Sequence, residues 1–316
     1  MGLFNNYLRE GPGVRKDEKK KKGVARFWEM FTRHYGDLLK LNLWLIGCCV
    51  PLMVVLFLIL IGWDTLFAGY LGMLLLAALV LCITAVPIGA ALTATHAALI
   101  RILRDEPTFL WHKYKEDFKK NFKQSMPVGI VSAFLLVLQS TALMFYVGSE
   151  NANLILSALC IFGILVLFCV TIPLYMQIIF IDLPLGTMLK NSVLIMFGKA
   201  KRMLPAGLVL LATFILGTMV LPSLVFAGIA LFFGISTILL IADMWAWPVV
   251  DTLFNISEQQ AANQAEKEKQ EAMEELRSRA AAERAPSTDT ATQTGAQPTA
   301  EAAPAEADPW DNKSEE

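Results

Sequence analysis

The sequence predicts an all-α polytopic membrane protein, with about six transmembrane helices arranged as three hairpins and amphipathic helices at the cytosolic interface. Three observations carry that expectation. The 316 residues are 55% hydrophobic and only 17% charged, with a mean hydropathy of +0.52, too apolar for a water-soluble chain of this length. Six apolar runs each approach or exceed the ~20 residues that a helix needs to cross a bilayer. Lys and Arg occur only in alternate connections between those runs.

In chain order, residues 1–22 hold EGPGVRKDEKKKK, a Pro/Gly turn and a basic cluster with too little apolar content to fold alone, and read as a cytosolic arm. Residues 23–255 form the membrane domain. It opens with Phe27, Met30, Phe31, Tyr35 and Leu38 at helical spacing, a short interfacial helix feeding the first span. The apolar runs follow at about Leu39–Ile61, Leu74–Ile100, Pro127–Val147, Leu154–Ile181, Leu204–Leu221 and Leu224–Trp247. Residues 256–284 are rich in Ala, Glu, Gln and Lys and can be helical, but lack a heptad seam. Residues 285–316 have the Ala, Pro, Thr and acidic composition of a disordered tail.

Charge sets the orientation. The formal net charge of −1 divides into +7 before Glu258 and −8 from Glu258 onward, a basic body joined to an acidic tail. Of the 21 basic residues in the body, 10 lie at or before the start of the first run, 7 between the second and third, and 4 between the fourth and fifth. The other connections, Trp63–Gly72, Gly148–Asn153 and Pro222–Ser223, carry none. The positive-inside rule therefore places both termini in the cytosol and the chain in the cell membrane.

Two connections are more than loops. Between the second and third runs, Leu110, Tyr114, Phe118 and Phe122 recur at i+4 with Trp111 beside them, while Lys113, Glu116, Lys119, Lys120 and Lys123 point elsewhere. That pattern predicts a helix lying flat at the headgroups, available for anionic lipid or for docking a cytosolic protein. Its place between two spans argues against nucleic acid. The segment Pro184–Pro205 has similar proline boundaries, with Leu185, Leu189 and Phe197 on one side and Lys190 and Lys199 on another. Pro87, Pro173 and Pro248 also recur towards the cytosolic side of alternate spans. Three repeated hairpins would produce these spacings, and so would the ordinary frequency of proline at helix ends.

Candidate functional residues are few. Asp64, Asp182 and Asp243 fall at span ends and read as interfacial. His96 is closer to burial, next to an Ala85, Gly89, Thr93, Ala97 packing stripe; an interhelical hydrogen bond is its ordinary role and a proton relay the functional one. On the first reading, His96→Gln is tolerated. Near half depth stand Thr84, Gln139, Thr171, Thr213 and Thr237, with Ser140, Thr141 and Ser236 beside them. They either bond neighbouring helices or converge on the hydroxyls of a neutral solute such as a sugar. Gln139 is the foremost candidate, since a mid-depth amide is harder to satisfy than a hydroxyl, which can bond back to its own helix. Cys48, Cys49, Cys82, Cys160 and Cys169 lie within apolar runs without metal-ligand spacing. With no phosphate-cradling loop, nucleophile elbow, HExxH or paired carboxylates, neither an enzyme nor a cofactor is expected.

Several stretches resemble the YesL-like family, multi-pass membrane proteins of Gram-positive bacteria classed as a domain of unknown function. They are EGPGV at Glu10–Val14, LNLWLIGCCVP at Leu41–Pro51, VPIGAALTATHAAL at Val86–Leu99 and the segment Arg104–Gln124 with its FLW and NFKQ elements. LKNS at Leu189–Ser192 and WPVVDTLF at Trp247–Phe254 add weaker likeness. In the shorter family pattern the first two membrane elements run together, whereas here Leu52–Cys82 intervenes. The resemblance implies a role around carbohydrate uptake or use and brings no catalytic residues. Two functions follow as expectations. One is a non-enzymatic accessory or regulatory component that engages a sugar-importer or signalling subunit through its cytosolic helices. The other is a small neutral-solute transporter or channel.

Overall fold

The computed structural model describes residues 21, 23–62, 71–106, 109–148, 153–217, 228–230 and 234–284. Most of the basic arm, the tail beyond 284, Asp64 and most of the connections without Lys or Arg lie outside these residues. Eight helices are delimited among the described residues: α1 (Val24–Ile61), α2 (Leu71–Arg104), α3 (Leu110–Gly148), α4 (Leu154–Phe180), α5 (Leu185–Gly198), α6 (Ala200–Ile215), α7 (Ile235–Phe254) and α8 (Ile256–Arg284). Five of them, α1, α2, α3, α4 and α7, are long and apolar enough to cross a membrane. The run expected at Leu204–Leu221 begins as the 16-residue α6, and the described residues end at 217.

The chain divides into two compact units, the first ending at Gln259. In the first unit α2 is the central helix, packing against α1, α3, α4 and α7. Its inner faces are built from Ala90, Ala91, Ala94, Ala97 and Ala98, all at most 1% exposed, which lets neighbouring helices approach closely. Leu38, Leu41 and Leu45 of α1 and Leu239 and Leu240 of α7 pack on one side. Ile172 and Met176 of α4, Met203 of α6 and Ala246 and Val250 of α7 fill a second core. In α8, every described side chain from 261 to 279 is exposed, as a sequence with no apolar seam requires.

Three expectations change. The interfacial helix and first span form one element, α1, bent at His34, whose φ of −112° and ψ of 18° leave the helical region. The amphipathic segment does not lie apart from the third span: both belong to the 39-residue α3, and Pro127 falls inside it. A proline removes one backbone donor, but here it does not end the helix. The second proline-bounded segment behaves differently, because Lys199 (φ −124°, ψ 33°) separates α5 from α6. The two segments are therefore not copies of one arrangement.

The run Leu224–Trp247 is also not one continuous helix. α7 starts only at Ile235, after Gly234 with φ +66°. Asn42 of α1, 1% exposed, serves this interruption from the side. Its Nδ2 donates to the Ala230 carbonyl at 2.7 Å and its Oδ1 accepts from the Ile235 N–H at 2.9 Å. The Ser236 hydroxyl donates to the Leu38 carbonyl at 2.8 Å. Backbone groups freed in an apolar setting need partners, and α1 supplies them. A Cβ on Gly234 would run into the Asn42 side chain, so glycine is required by both conformation and space.

Candidate functional site

α2 and α3 pack backbone against backbone. A Cβ on Gly129 would stand 2.5 Å from the Gly89 Cα, and one on Gly89 would fall inside the Ser125 carbonyl. The two backbones touch without side chains between them, the use of small residues anticipated for the Ala/Gly stripe. Towards Arg104 the face of α3 that meets α2 is polar: Tyr114, Asp117, Asn121 and Ser125 are buried there. Arg101 of α2 pairs with Asp117, while Ser125 and Asn121 bond back along α3. Arg26 and Arg33 of α1 both reach Asp105, closing the same end.

This packing corrects the docking surface. Tyr114, 5% exposed, faces inward with its hydroxyl 3.4 Å from the Ala91 carbonyl, and its ring lies against Trp44. Phe118 and Phe122 are half-buried, and Phe118 packs on the α1–α2 core. Trp111 is 60% exposed although it touches Trp44 at 4.9 Å, and Lys119, Lys120 and Lys123 are exposed. The spacing at i+4 was visible in sequence. Which stripe turned inward was not, because Asp117 and Asn121 look like solvent residues until Arg101 is placed.

His96 lies 2% exposed, with Nδ1 at 2.8 and 2.9 Å from the two carboxylate oxygens of Asp243. Asp243 is fully buried, so its reading as an interfacial residue is overturned. The Tyr175 ring stacks on His96, with centroids 5.6 Å apart and planes at 20°. The pair thus joins α2, α4 and α7 at one point. A buried carboxylate requires such a partner, and the imidazole offers a donor aimed between its oxygens. Asp182, by contrast, is exposed at the end of α4.

The mid-depth polar residues do not converge. Thr84 donates to Val80 at 2.9 Å, Thr171 to Phe168 at 3.2 Å and Thr213 to Val209 at 2.9 Å, each within its own helix. Thr237 is half-buried on α7. Ser140 and Thr141 also bond back along α3. Gln139 differs. It lines a groove of about 530 Å³ between α3 and α4, floored by Leu185, Gly186 and Leu189 of α5, and Thr171 lines the same groove. Its Oε1 is buried against Gly163 and has no hydrogen-bond partner.

Sequence reasoning passed over Asn42, Tyr175 and Gln177. Gln177 is fully buried and its Nε2 donates to Ser192 Oγ at 2.8 Å, pinning α5 to α4. An amide or hydroxyl inside a run as apolar as that of α4 was the available signal. Among the described residues, no group of three or more His, Cys, Asp or Glu side chains is placed to hold a metal ion.

A family model described as a protein of unknown function, DUF624, matches residues 68–147, the stretch that contains α2 and nearly all of α3. No curated protein and no solved structure matches the chain. What the match covers is the hairpin in which Gly89 meets Gly129 and Arg101 meets Asp117.

Proposed function

We propose that the protein is a non-enzymatic component of the cell membrane that acts by engaging a partner subunit at the end of the bundle where Arg104, α5 and the start of α6 lie. The observation that supports this reading is the uncovered apolar ridge of α5. Leu189, Leu194 and Phe197 are 49%, 59% and 72% exposed, while Met188, Ser192, Ile195 and Met196 on the opposite side are buried. Lys190 is exposed on the same helix and Lys199 just past its end, and Trp111 with Lys119, Lys120 and Lys123 adds a second basic and aromatic surface on α3. The positive-inside rule makes this end cytosolic, with both termini on that side. Its counterparts there are anionic headgroups and, on the family resemblance, a sugar-importer or signalling subunit serving carbohydrate uptake.

The test is photo-crosslinking from positions 111 and 197 in native cells grown with and without complex carbohydrate. Recovery of a defined importer or signalling subunit, lost on Phe197→Glu while the protein stays in the membrane, is the expected result. Adducts with lipid alone refute the proposal.

A carrier for a neutral sugar is the competing reading, and the chemistry of the groove weighs against it. Such a solute needs several converging hydrogen-bonding groups, whereas Thr84, Thr171 and Thr213 donate to their own helices and most of the groove lining is apolar. Sugar flux in proteoliposomes above that of Gln139→Leu would reverse this judgement.

A further inference from the structure

We propose that the acidic segment after α8 occupies the exposed ridge of α5, its Trp310 set against Leu194 and Phe197 and the flanking Asp308 and Asp311 against the cations where α6 begins. The ridge is then masked by the chain itself until a partner displaces the segment. That last step rests on the docking role proposed above; the contact stands without it. Charge complementarity names the occupant. At the Arg104 end of α2 and α3 the cations are matched: Arg26 and Arg33 reach Asp105, Arg101 reaches Asp117, Arg104 reaches Glu106 and Lys113 reaches Glu116. Lys190, Lys199, Lys201 and Arg202 differ: all four are exposed, and among the described residues none of them has an ion-pair partner. From Leu183 to Gly217 these four stand without a single Asp or Glu.

The sequence beyond α8 has the opposite character. Residues 285–316 hold seven acidic side chains and one lysine, and Trp310, between Asp308-Pro309 and Asp311, is the only aromatic residue after Phe254. Phe197 is 72% and Leu194 59% exposed, and Lys199 follows Phe197 by two positions. An indole bracketed by carboxylates thus meets an apolar ridge bounded by cations, each side supplying what the other leaves uncovered. The basic face of α3 is a poorer counterpart, because Glu116 and Asp117 stand among its lysines. The leaflet is poorer still, since its anionic headgroups repel the segment. Reach is no obstacle. α8 has 29 residues, about 44 Å, while the 24 residues from Ala285 to Asp308 span up to ~80 Å, so the segment can return along the full length of α8 whichever way that helix runs.

A contact of this size is weak between separate molecules and favoured within one, where the tether raises the effective concentration, so the test uses the full-length protein. It is held in phosphatidylcholine nanodiscs with benzoylphenylalanine at position 310. Adducts are expected on residues 189–202 of the same chain. They should fall about tenfold between ~50 mM and ~1 M salt, the worth of two or three solvated ion pairs. Changing Lys199, Lys201 and Arg202 together to Glu should remove them, and adding Asp308→Lys and Asp311→Lys to that variant should bring them back. The three cations are exposed, so the fold should survive, read as an unchanged melting temperature. Asp308→Lys with Asp311→Lys alone, which alters neither α5 nor α6, should also remove the adducts.

Adducts on the α3 lysines, on the basic arm, on lipid or on a second copy would overturn the proposal, as would adducts that survive the charge reversals. The docking role stands or fails separately. A subunit crosslinked from position 197 at the same yield with and without residues 285–316 keeps that role and overturns the masking. Adducts from position 310 on α5, with no subunit recovered from position 197, keep the contact and remove the role.

Discussion

Asn42→Leu tests the interruption before α7 most directly. Leucine is close to asparagine in size, so the change leaves the packing volume and removes only the amide. The amide makes bonds of 2.7 and 2.9 Å to the Ala230 carbonyl and the Ile235 N–H, and Asn42 is 1% exposed. Among the described residues, these bonds serve the two backbone groups on either side of Gly234. Each buried group left unpaired costs about 1–3 kcal/mol, so the variant should lose roughly 2–6 kcal/mol. For a domain of this size that corresponds to a fall in melting temperature of at least about 5 °C. The five free cysteines, all within helices, supply the assay: a thiol-reactive dye on purified protein in detergent reports unfolding as they become accessible. Gly234→Ala should also destabilise, and because its Cβ would meet Asn42, the double variant should lose less than the sum of the two. A melting temperature within about 1 °C of the parent for Asn42→Leu would refute the argument that α1 caps the break.

Gly129→Ala should cost about 1–3 kcal/mol by prying α3 off the Gly89 backbone, and unchanged melting would mean that the pair yields without loss. His96→Leu should cost about 3–5 kcal/mol by stranding the Asp243 carboxylate. His96→Gln should cost less, since its amide can still donate to that carboxylate; equal losses for the two variants would count against the pair as the source. Replacing Lys119, Lys120 and Lys123 together by Ser should alter stability by no more than about 0.5 kcal/mol per site, because all three are exposed. The same change should weaken binding to vesicles containing anionic lipid by about 1 kcal/mol per lysine, read as a shift in partitioning. Retained partitioning would remove this face from the interface.

Helical class and the places of five helices long and apolar enough to cross a membrane were legible because apolar runs of that length have few other uses. The α2 packing face was legible too, since Ala and Gly at that density serve close approach. What escaped was everything decided by a distant partner. Asp243 reads as an end-of-span aspartate until His96, 147 positions earlier, is set beside it. Tyr114 reads as a surface aromatic until Trp44 and Ala91 enclose it. Asn42 is one polar residue in a long apolar run, and only the interruption at Gly234 explains it. Gln139 went the other way, for its unpaired amide follows from chemistry visible in the sequence, while the groove beside it needed α4 and α5 in place.

The geometry of α3 has a mechanical consequence. At 39 residues the helix is about 58 Å long, nearly twice the ~30 Å of a bilayer's hydrocarbon core. Gly129, where it rests on Gly89 without side chains between, is the twentieth of those residues. The contact is thus a fulcrum at the midpoint of a rod. Lys119 and Gln139 stand ten residues to either side of it, arms of about 15 Å each. A rigid tilt of α3 about that contact would carry Lys119 and Gln139 equal distances in opposite senses. Pro127, with one backbone hydrogen bond missing beside the pivot, sets how stiffly that lever answers.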